Sequence, residues 1–175
     1  MRQLRRPCLQ QSTRKLEKPD EEICRYPRSC NRHRLPCAGR GENLTLNTTL
    51  KPYGGNGAYL AIYLTNAQGK FHSTLRVSGR KAKYHSHLRD WSRGNASERR
   101  NIDGITGASV GSGHSLKVSV DVADALIDAG YQIRVDSSVE NGRDNPVDIV
   151  VPLTSANAGK PTSGKGYVQS FTFDM

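Results

Sequence analysis

A short glycine-containing segment, residues 103–109, carries the residue types best suited to chemistry in this sequence. It reads Asp-Gly-Ile-Thr-Gly-Ala-Ser and combines one carboxylate, two glycines and two hydroxyls, without a large polar side chain. Glycine adopts backbone conformations that are strained for other residues and lets another molecule approach the main chain. A hydroxyl at the end of such a turn, here that of Ser109, is sterically accessible.

The segment resembles the acceptor motif of bacterial flavin transferases, Asp-x-x-Ser/Thr-Gly-Ala-Thr/Ser. In that motif the last hydroxyl takes FMN through a phosphoester bond, and the matching residue here is Ser109. The resemblance implies covalently attached FMN as the cofactor. The implied cofactor-binding residues are Asp103, Gly104, Thr106, Gly107, Ala108 and Ser109. An ordinary surface turn is the alternative, because Asp-Gly, Thr-Gly and a following Gly-Ser-Gly are also typical of turns.

The positions of the motif have expected roles in attaching an anionic group. Gly104 and Gly107 are expected to supply bend and clearance for the transferase. Asp103 is expected to cap the turn through its side chain or to help the transferase recognise or activate the site. Backbone N–H groups around residues 107–110 are expected partners of the phosphate, since grouped main-chain amides bind anions.

A basic and aromatic stretch precedes the motif. It contains Arg80, Lys81, Lys83, Tyr84, His85, His87, Arg89 and Trp91. One interpretation is that these side chains hold the phosphate or stack on the flavin ring. The other is that the charged members form a solvated face and that Trp91 belongs to the core, which is the commoner fate of each residue type.

The net charge of +10 is unevenly distributed and suggests two parts. Residues 1–40 hold 11 of the 26 Lys and Arg and 4 of the 16 acidic residues, a net of +7, which leaves +3 for the rest. All four cysteines also lie in this first part. The sequence therefore divides into a basic leader, residues 1–41, and one domain of ordinary size, residues 42–175. The modest charge of the domain argues against nucleic acid as its partner.

The leader lacks sustained apolar periodicity, so we expect it to be disordered. Cys24, Cys30, His33 and Cys37 are a weak alternative as a zinc set, because their spacing lacks the close ligand pairs of structural zinc sites. No apolar run resembling a signal peptide precedes residue 42. A frameshift or a misplaced start is a further interpretation of this leader. No apolar span of 18 residues occurs anywhere, so we expect no membrane insertion.

From residue 43 onward, alternating apolar and polar residues predict an all-β domain. The predicted strands lie within residues 44–50, 58–65, 71–77, 115–122, 131–136, 147–152 and 167–173, and two short helices are expected near 87–93 and 124–129. Turns rich in Gly, Asn, Asp and Pro join the strands, without alternating helices. This pattern predicts an antiparallel β-sandwich of the immunoglobulin or fibronectin type.

Residues from about 43 to 175 resemble the bacterial periplasmic family known as domain of unknown function 2271. The resemblance rests on five stretches: residues 57–63, 77–81, 88–92, 102–113 and 166–171. It implies a periplasmic domain that carries flavin, transfers electrons and partners a PepSY-type membrane reductase and a flavin transferase. Such a domain is more a redox carrier than an enzyme. The alternative function is a colourless β-sandwich binding or adaptor module without a cofactor.

The first prediction concerns the leader. Because residues 1–40 lack apolar patterning, a chain that begins at Gly41 should melt at nearly the same temperature as the full chain. Thermal unfolding followed by circular dichroism measures both. A loss of several degrees in the shorter chain would show that the leader packs on the domain.

Overall fold

The computed structural model describes residues 41–97, 102 and 104–175, so residues 1–40 of the leader lie outside the described residues and Gly41 is the first residue of a strand. The elements are β1 (Gly41–Leu50), β2 (Ala58–Thr65), β3 (Phe71–Ser78), α1 (Arg89–Gly94), β4 (Thr106–Gly107), β5 (Ser115–Ala123), β6 (Gln132–Val139), β7 (Asn145–Pro152) and β8 (Val168–Asp174). Short 3-10 helices cover Ala82–His87, Asn95–Ser97, Asp124–Leu126 and Ser155–Asn157. The predicted all-β class is confirmed. The boundary at 41/42 and the disorder of the leader stay predictions.

Two sheets form the sandwich. The smaller sheet has the order β5-β1-β8 and the larger one β4-β3-β2-β6-β7. All pairings are antiparallel except that of β4, which runs parallel to β3. The seven predicted strands are all present, within a few residues of their expected ends. The eighth, β4, was not predicted because two residues carry no alternation to read.

The main core lies between the two sheets. In β1 every second residue from Leu44 to Leu50 is buried, which matches the period of a strand with one solvated face. The largest fully buried apolar side chains of this core include Leu44, Leu46, Leu60, Ile62, Ile133, Ile149, Phe171 and Phe173. Burying each such side chain contributes about 1.5–3 kcal/mol, so this layer dominates the stability of the sandwich.

A second apolar layer covers the outer face of the larger sheet. All eight residues of β2 are buried. Leu60, Ile62 and Leu64 belong to the main core, whereas Tyr59, Ala61 and Tyr63 belong to the outer layer. Val77, Leu88 and Trp91 complete that layer, and the Trp91 indole N–H donates to Thr74 Oγ1 at 2.9 Å. Trp91 is therefore a core residue. The packing of Leu88 and Trp91 and the Trp91–Thr74 hydrogen bond thus hold the segment between β3 and α1 against the sheet.

A buried carboxylate, Asp136 in β6, joins this outer layer to the sheet. Its Oδ2 accepts the backbone N–H groups of Asp90 and Trp91 at 3.0 and 2.9 Å, in the first turn of α1. Its Oδ1 accepts the Tyr63 hydroxyl at 3.1 Å and the Val147 N–H at 2.9 Å. Four donors thus converge on one fully buried group.

Burial and hydrogen bonding have opposite effects on the pKa of Asp136. Desolvation raises the pKa of Asp136, and the hydrogen bonds from Trp91, Val147 and Tyr63 lower it without cancelling the effect of burial. Burial, together with the neighbouring Asp136, also raises the pKa of Tyr63, which keeps its hydroxyl as a donor. The four donors are therefore placed to bind the two carboxylate oxygens. Removing the carboxylate from water costs free energy.

The second prediction tests this convergence. Asp136→Asn keeps the size of the side chain but places an NH₂ group where two donors already point, so at least one buried N–H loses its acceptor. We expect a loss of about 3 kcal/mol in the free energy of unfolding, measured by urea titration. Asp124→Asn, at an exposed position, is the control and should change stability by less than about 0.5 kcal/mol. Equal effects of the two substitutions would contradict the structural role of Asp136.

Candidate functional site

The glycine-containing motif lies along the edge of the larger sheet. Asp103 is outside the described residues, and the motif is described from Gly104 onward. Val77 N–H donates to Ile105 O at 3.0 Å and Gly79 N–H donates to Gly107 O at 2.8 Å. These bonds form the parallel pairing of β3 with β4. The first half of the motif is therefore anchored to the end of β3 rather than being a free surface turn.

The hydroxyl of Thr106 closes a turn inside the motif. Its Oγ1 donates to Ile102 O at 2.7 Å, and Ile105 N–H donates to the same carbonyl at 3.2 Å. Thr106 is half-buried and its hydroxyl is engaged, whereas Ala108 and Ser109 are exposed. Of the two hydroxyls in the motif, Ser109 is thus the accessible one.

A second anchor follows directly after Ser109. Val110 is buried and exchanges two backbone hydrogen bonds with Ala58 at the start of β2, at 2.7 and 3.0 Å. The Val110 amide was expected to face a phosphate, and that expectation is wrong because the amide already donates to Ala58 O. The exposed pair Ala108–Ser109 is left between two fixed points of the sheet.

The glycines of the motif differ in what they make room for. A Cβ at Gly104 would meet open space, so no described neighbour requires glycine at this position. A Cβ at Gly107 would overlap the guanidinium of Arg76. Outside the motif, a Cβ at Gly57 would lie 2.8 Å from Ser109 Oγ. Gly57 was missed in the sequence because it looked like part of an ordinary loop.

Ser109 lines a cavity together with two basic side chains, Arg80 and Lys81. The cavity has a volume of about 290 Å³ and is lined by Tyr59, Arg80, Lys81, Ala108 and Ser109. Arg80 is exposed, and its guanidinium has no hydrogen-bond or ion-pair partner among the described residues. The Ser109 hydroxyl likewise has none within that part of the chain. An accessible hydroxyl therefore faces two cationic side chains.

Glu140 joins two of the side chains that line this cavity, Tyr59 and Lys81. Its Oε1 accepts the Lys81 ammonium and the Tyr59 hydroxyl, each at 2.9 Å. The hydrogen bonds from Lys81 and Tyr59 lower the pKa of Glu140, and the bond with Glu140 raises the pKa of Lys81. Both groups are therefore charged at neutral pH, and Lys81 is held in place beside Ser109.

Gly79 places the two cationic residues. Its φ is +114°, a conformation that L side chains rarely adopt. A Cβ at this position would overlap the Tyr59 ring. The chain therefore passes directly over Tyr59 and delivers Arg80 and Lys81 to the rim of the Ser109 cavity. This glycine was also missed, because its role depends on a ring that lies 20 residues earlier.

Comparison with known protein families matches residues 42–170 to the family described as "Predicted periplasmic protein (DUF2271)". The chain belongs to this family. The resemblance inferred from the sequence is thereby confirmed, and the family description makes the protein periplasmic. No curated protein and no solved structure matches the chain significantly.

In this DUF2271 protein the basic and aromatic stretch divides into two groups. Arg80 and Lys81 line the Ser109 cavity. The others are engaged in the fold: Lys83 lies 4.6 Å from the centre of the Tyr84 ring, His85 Nε2 contacts Gly79 O at 2.7 Å, and His87 and Arg89 contact Asp144 at 3.1 and 3.2 Å. The interpretation that side chains of this stretch hold a phosphate or stack on a flavin ring therefore stays a prediction, and it now concerns Arg80 and Lys81.

Asp144 shows why His87 and Arg89 belong to the fold. Partial burial alone would raise the pKa of Asp144, but hydrogen bonds from Ser138, His87 and Arg89 outweigh burial and lower it. Ser138 Oγ donates to Asp144 Oδ1 at 2.9 Å. The carboxylate thus connects β6 to the segment that precedes α1.

Two further observations concern membrane-spanning helices and metal sites among the described residues. Within residues 41–97, 102 and 104–175, no helix has the length and apolar character needed to cross a membrane. In the same part of the chain, no group of three or more His, Cys, Asp or Glu side chains is arranged to hold a metal ion. The zinc alternative concerns residues outside that range.

The third prediction separates backbone strain from overlap at Gly79. Gly79→Ala should destabilise the domain by roughly 2–4 kcal/mol, since it adds an overlap with the Tyr59 ring to an unfavourable φ. Gly54→Ala is the matched control, because Gly54 has a φ of +74° but open space around its Cβ. There we expect about 1 kcal/mol. Urea unfolding measures both, and equal losses would mean that the chain does not pass closely over Tyr59.

Proposed function

We propose that this DUF2271 protein is a periplasmic electron carrier with FMN covalently attached to Ser109. The observation that carries the proposal is the cavity in which the exposed Ser109 hydroxyl lies beside Arg80 and Lys81. A phosphodiester formed on Ser109 would place its negative charge next to both cations. Charge-assisted hydrogen bonds of this kind are among the stronger polar interactions in proteins.

The residues around Ser109 fit an attached phosphate. The hydroxyl is exposed and is not used in the fold of the described residues, as an acceptor hydroxyl must be. Arg80 is without a partner there and is available for an anion, and Arg side chains recognise phosphate through two parallel N–H donors. Lys81 contributes a second charge from its position on Glu140.

Attachment requires a flavin transferase and FAD. Ser109 Oγ attacks the FMN-side phosphorus of the FAD pyrophosphate, the phosphorus–oxygen bond to the other phosphate breaks, and AMP leaves. The hydroxyl proton passes to a base of the transferase. No electron is gained or lost, so the step needs no oxidant. Thr106 and Val110 hold the motif on either side while the exposed Ala108–Ser109 pair remains within reach of the transferase.

The isoalloxazine ring supplies the one- and two-electron chemistry, and the chain supplies its anchorage and electrostatic surroundings. Arg80 and Lys81 would lie at the phosphate end of the attached group, where they offset its negative charge. A PepSY-type membrane reductase is the proposed electron partner, in keeping with the family resemblance. In this role the protein transfers electrons and has no catalytic residue of its own.

The fourth prediction concerns the attachment site. When the protein is produced with a flavin transferase and FAD, Ser109→Ala should carry no FMN, because the oxygen that forms the ester is gone. Ser109→Thr keeps the oxygen and should be labelled. Thr106→Ala loses the bond to Ile102 O that closes the turn, so its labelling should decrease without vanishing. Intact mass and peptide mapping measure the product.

Ser112→Ala is the control for this experiment. Ser112 lies three residues after Ser109 and its Oγ accepts the Gly54 N–H at 2.8 Å, so its loss should leave labelling unchanged. Labelling of Ser109→Ala equal to that of the unchanged protein would overturn the assignment. Absence of label from every variant, with an active transferase present, would favour the colourless binding module.

A further inference from the structure

The four outer edges of the two sheets differ in how well they are protected against pairing with another strand. β4 is only two residues long. β7 contains Pro146 and Pro152, a positive φ at Val147 and an irregular register with β6. β8 is covered by the preceding loop, since Thr162 and Phe171 exchange two backbone hydrogen bonds and Gly159 N–H donates to Phe173 O. Short length, proline, irregularity and coverage are the usual means of protecting an edge.

Among the residues that the structure describes, none of these four features protects β5. It runs for nine residues from Ser115 to Ala123 without proline and pairs with β1 in an uninterrupted register. Its backbone makes no hydrogen bond to any described residue outside β1 along this length, so within the described part of the chain one full row of N–H and C=O groups is unpaired. A long, regular and open edge is a template for another strand.

The sequence of β5 is complementary to itself. It reads Ser-Leu-Lys-Val-Ser-Val-Asp-Val-Ala and is symmetric in residue type about Ser119. If two copies pair antiparallel with Ser119 opposite Ser119, Lys117 of each copy lies opposite Asp121 of the other. Val118 then lies opposite Val120. Opposite charges facing each other across an antiparallel pair stabilise it, whereas like charges oppose it.

Burial and charge at β5 agree with this arrangement. The alternate residues from Ser115 to Ala123 are exposed, and Leu116, Val118 and Val120 are only half-buried. Residues 118–121 border a cavity of about 340 Å³ whose other lining residues belong to β3 and to the motif, at Gly104 and Ile105. Lys117 has no ion-pair partner among the described residues, and Asp121 accepts only an exposed amide bond from Asn43 at 3.2 Å. Both charges are therefore available to a second copy.

We propose that the chain forms a symmetric dimer through β5, in which two three-stranded sheets join into one six-stranded sheet. The twofold axis passes through the Ser119 pair, and two Lys117–Asp121 pairs set the register. The proposal concerns a surface formed by β5 and does not depend on the attachment of FMN. A single paired edge buries little area, so the dimer dissociates readily and is populated at high protein concentration.

The fifth prediction uses charge reversal in the full chain. Sedimentation velocity from roughly 10 µM to 1 mM protein should show a monomer–dimer equilibrium. Lys117→Asp alone and Asp121→Lys alone each create two like-charge pairs, so each should raise the dissociation constant by roughly 10- to 100-fold. The double reversal restores opposite charges and should restore dimerisation. An equimolar mixture of the two single variants should form heterodimers, because their charges are complementary.

Two single-cysteine variants test the position of the twofold axis, and one of them is the control. Ser119→Cys lies on the proposed axis and should give a covalent dimer on mild oxidation, above the background of the unchanged chain with its four native cysteines. Ser115→Cys is equally exposed but would face Ala123, so it should stay at that background. A monomer at all concentrations would overturn the proposal. A dimer that is insensitive to both charge reversals, or that cross-links equally at the two positions, would also overturn it.

Discussion

The arrangement of the outer layer depends on the carboxylate of Asp136. It joins the first turn of α1, the Tyr63 hydroxyl in β2 and the Val147 amide in β7 at one buried point. α1 ends the segment that begins at Gly79, and the other end of that segment is tied to β4 through Gly107. Because both ends are fixed, the position of Arg80 and Lys81 follows from a hydrogen-bond centre on another strand. A buried carboxylate whose two oxygens each accept two donors specifies a single packing of the helix.

Close packing of loops against the ends of strands shapes the cavity at Ser109. Three glycines make these contacts possible. The Tyr59 ring occupies the space of a Cβ at Gly79, the Arg76 guanidinium that at Gly107, and the Ser109 side chain that at Gly57. Each contact joins parts of the chain that are distant in sequence. The site is therefore built by the fold as a whole, and the motif supplies only its reactive part.

The alternation of apolar and polar residues made the strands of the sandwich predictable. It could not predict contacts between distant parts of the chain, such as those that bury Asp136. β5 and β6 both alternate apolar and polar residues, which predicts solvated polar positions. In β5 those positions are exposed, whereas Asp136 in β6 is fully buried. The difference arises because α1, more than 40 residues earlier, covers one strand and not the other. No local pattern contains that information. In the same way, the accessibility of Ser109 was predictable from its motif, but the contributions of Gly57 and Gly79 were not.

The anchoring of the motif on both sides of Ser109 would meet two demands that the proposed function makes on this residue. Enzymatic attachment needs an exposed hydroxyl, and electron transfer needs a cofactor whose position is reproducible. The pairing of Gly107 with Gly79 and that of Val110 with Ala58 leave only Ala108 and Ser109 between fixed points. A span of two residues has few conformations to lose, so a group attached to Ser109 keeps its anchor point. If that group is the proposed FMN, its remaining freedom would lie in the ribityl chain, and the cations of Arg80 and Lys81 would restrict it at the phosphate.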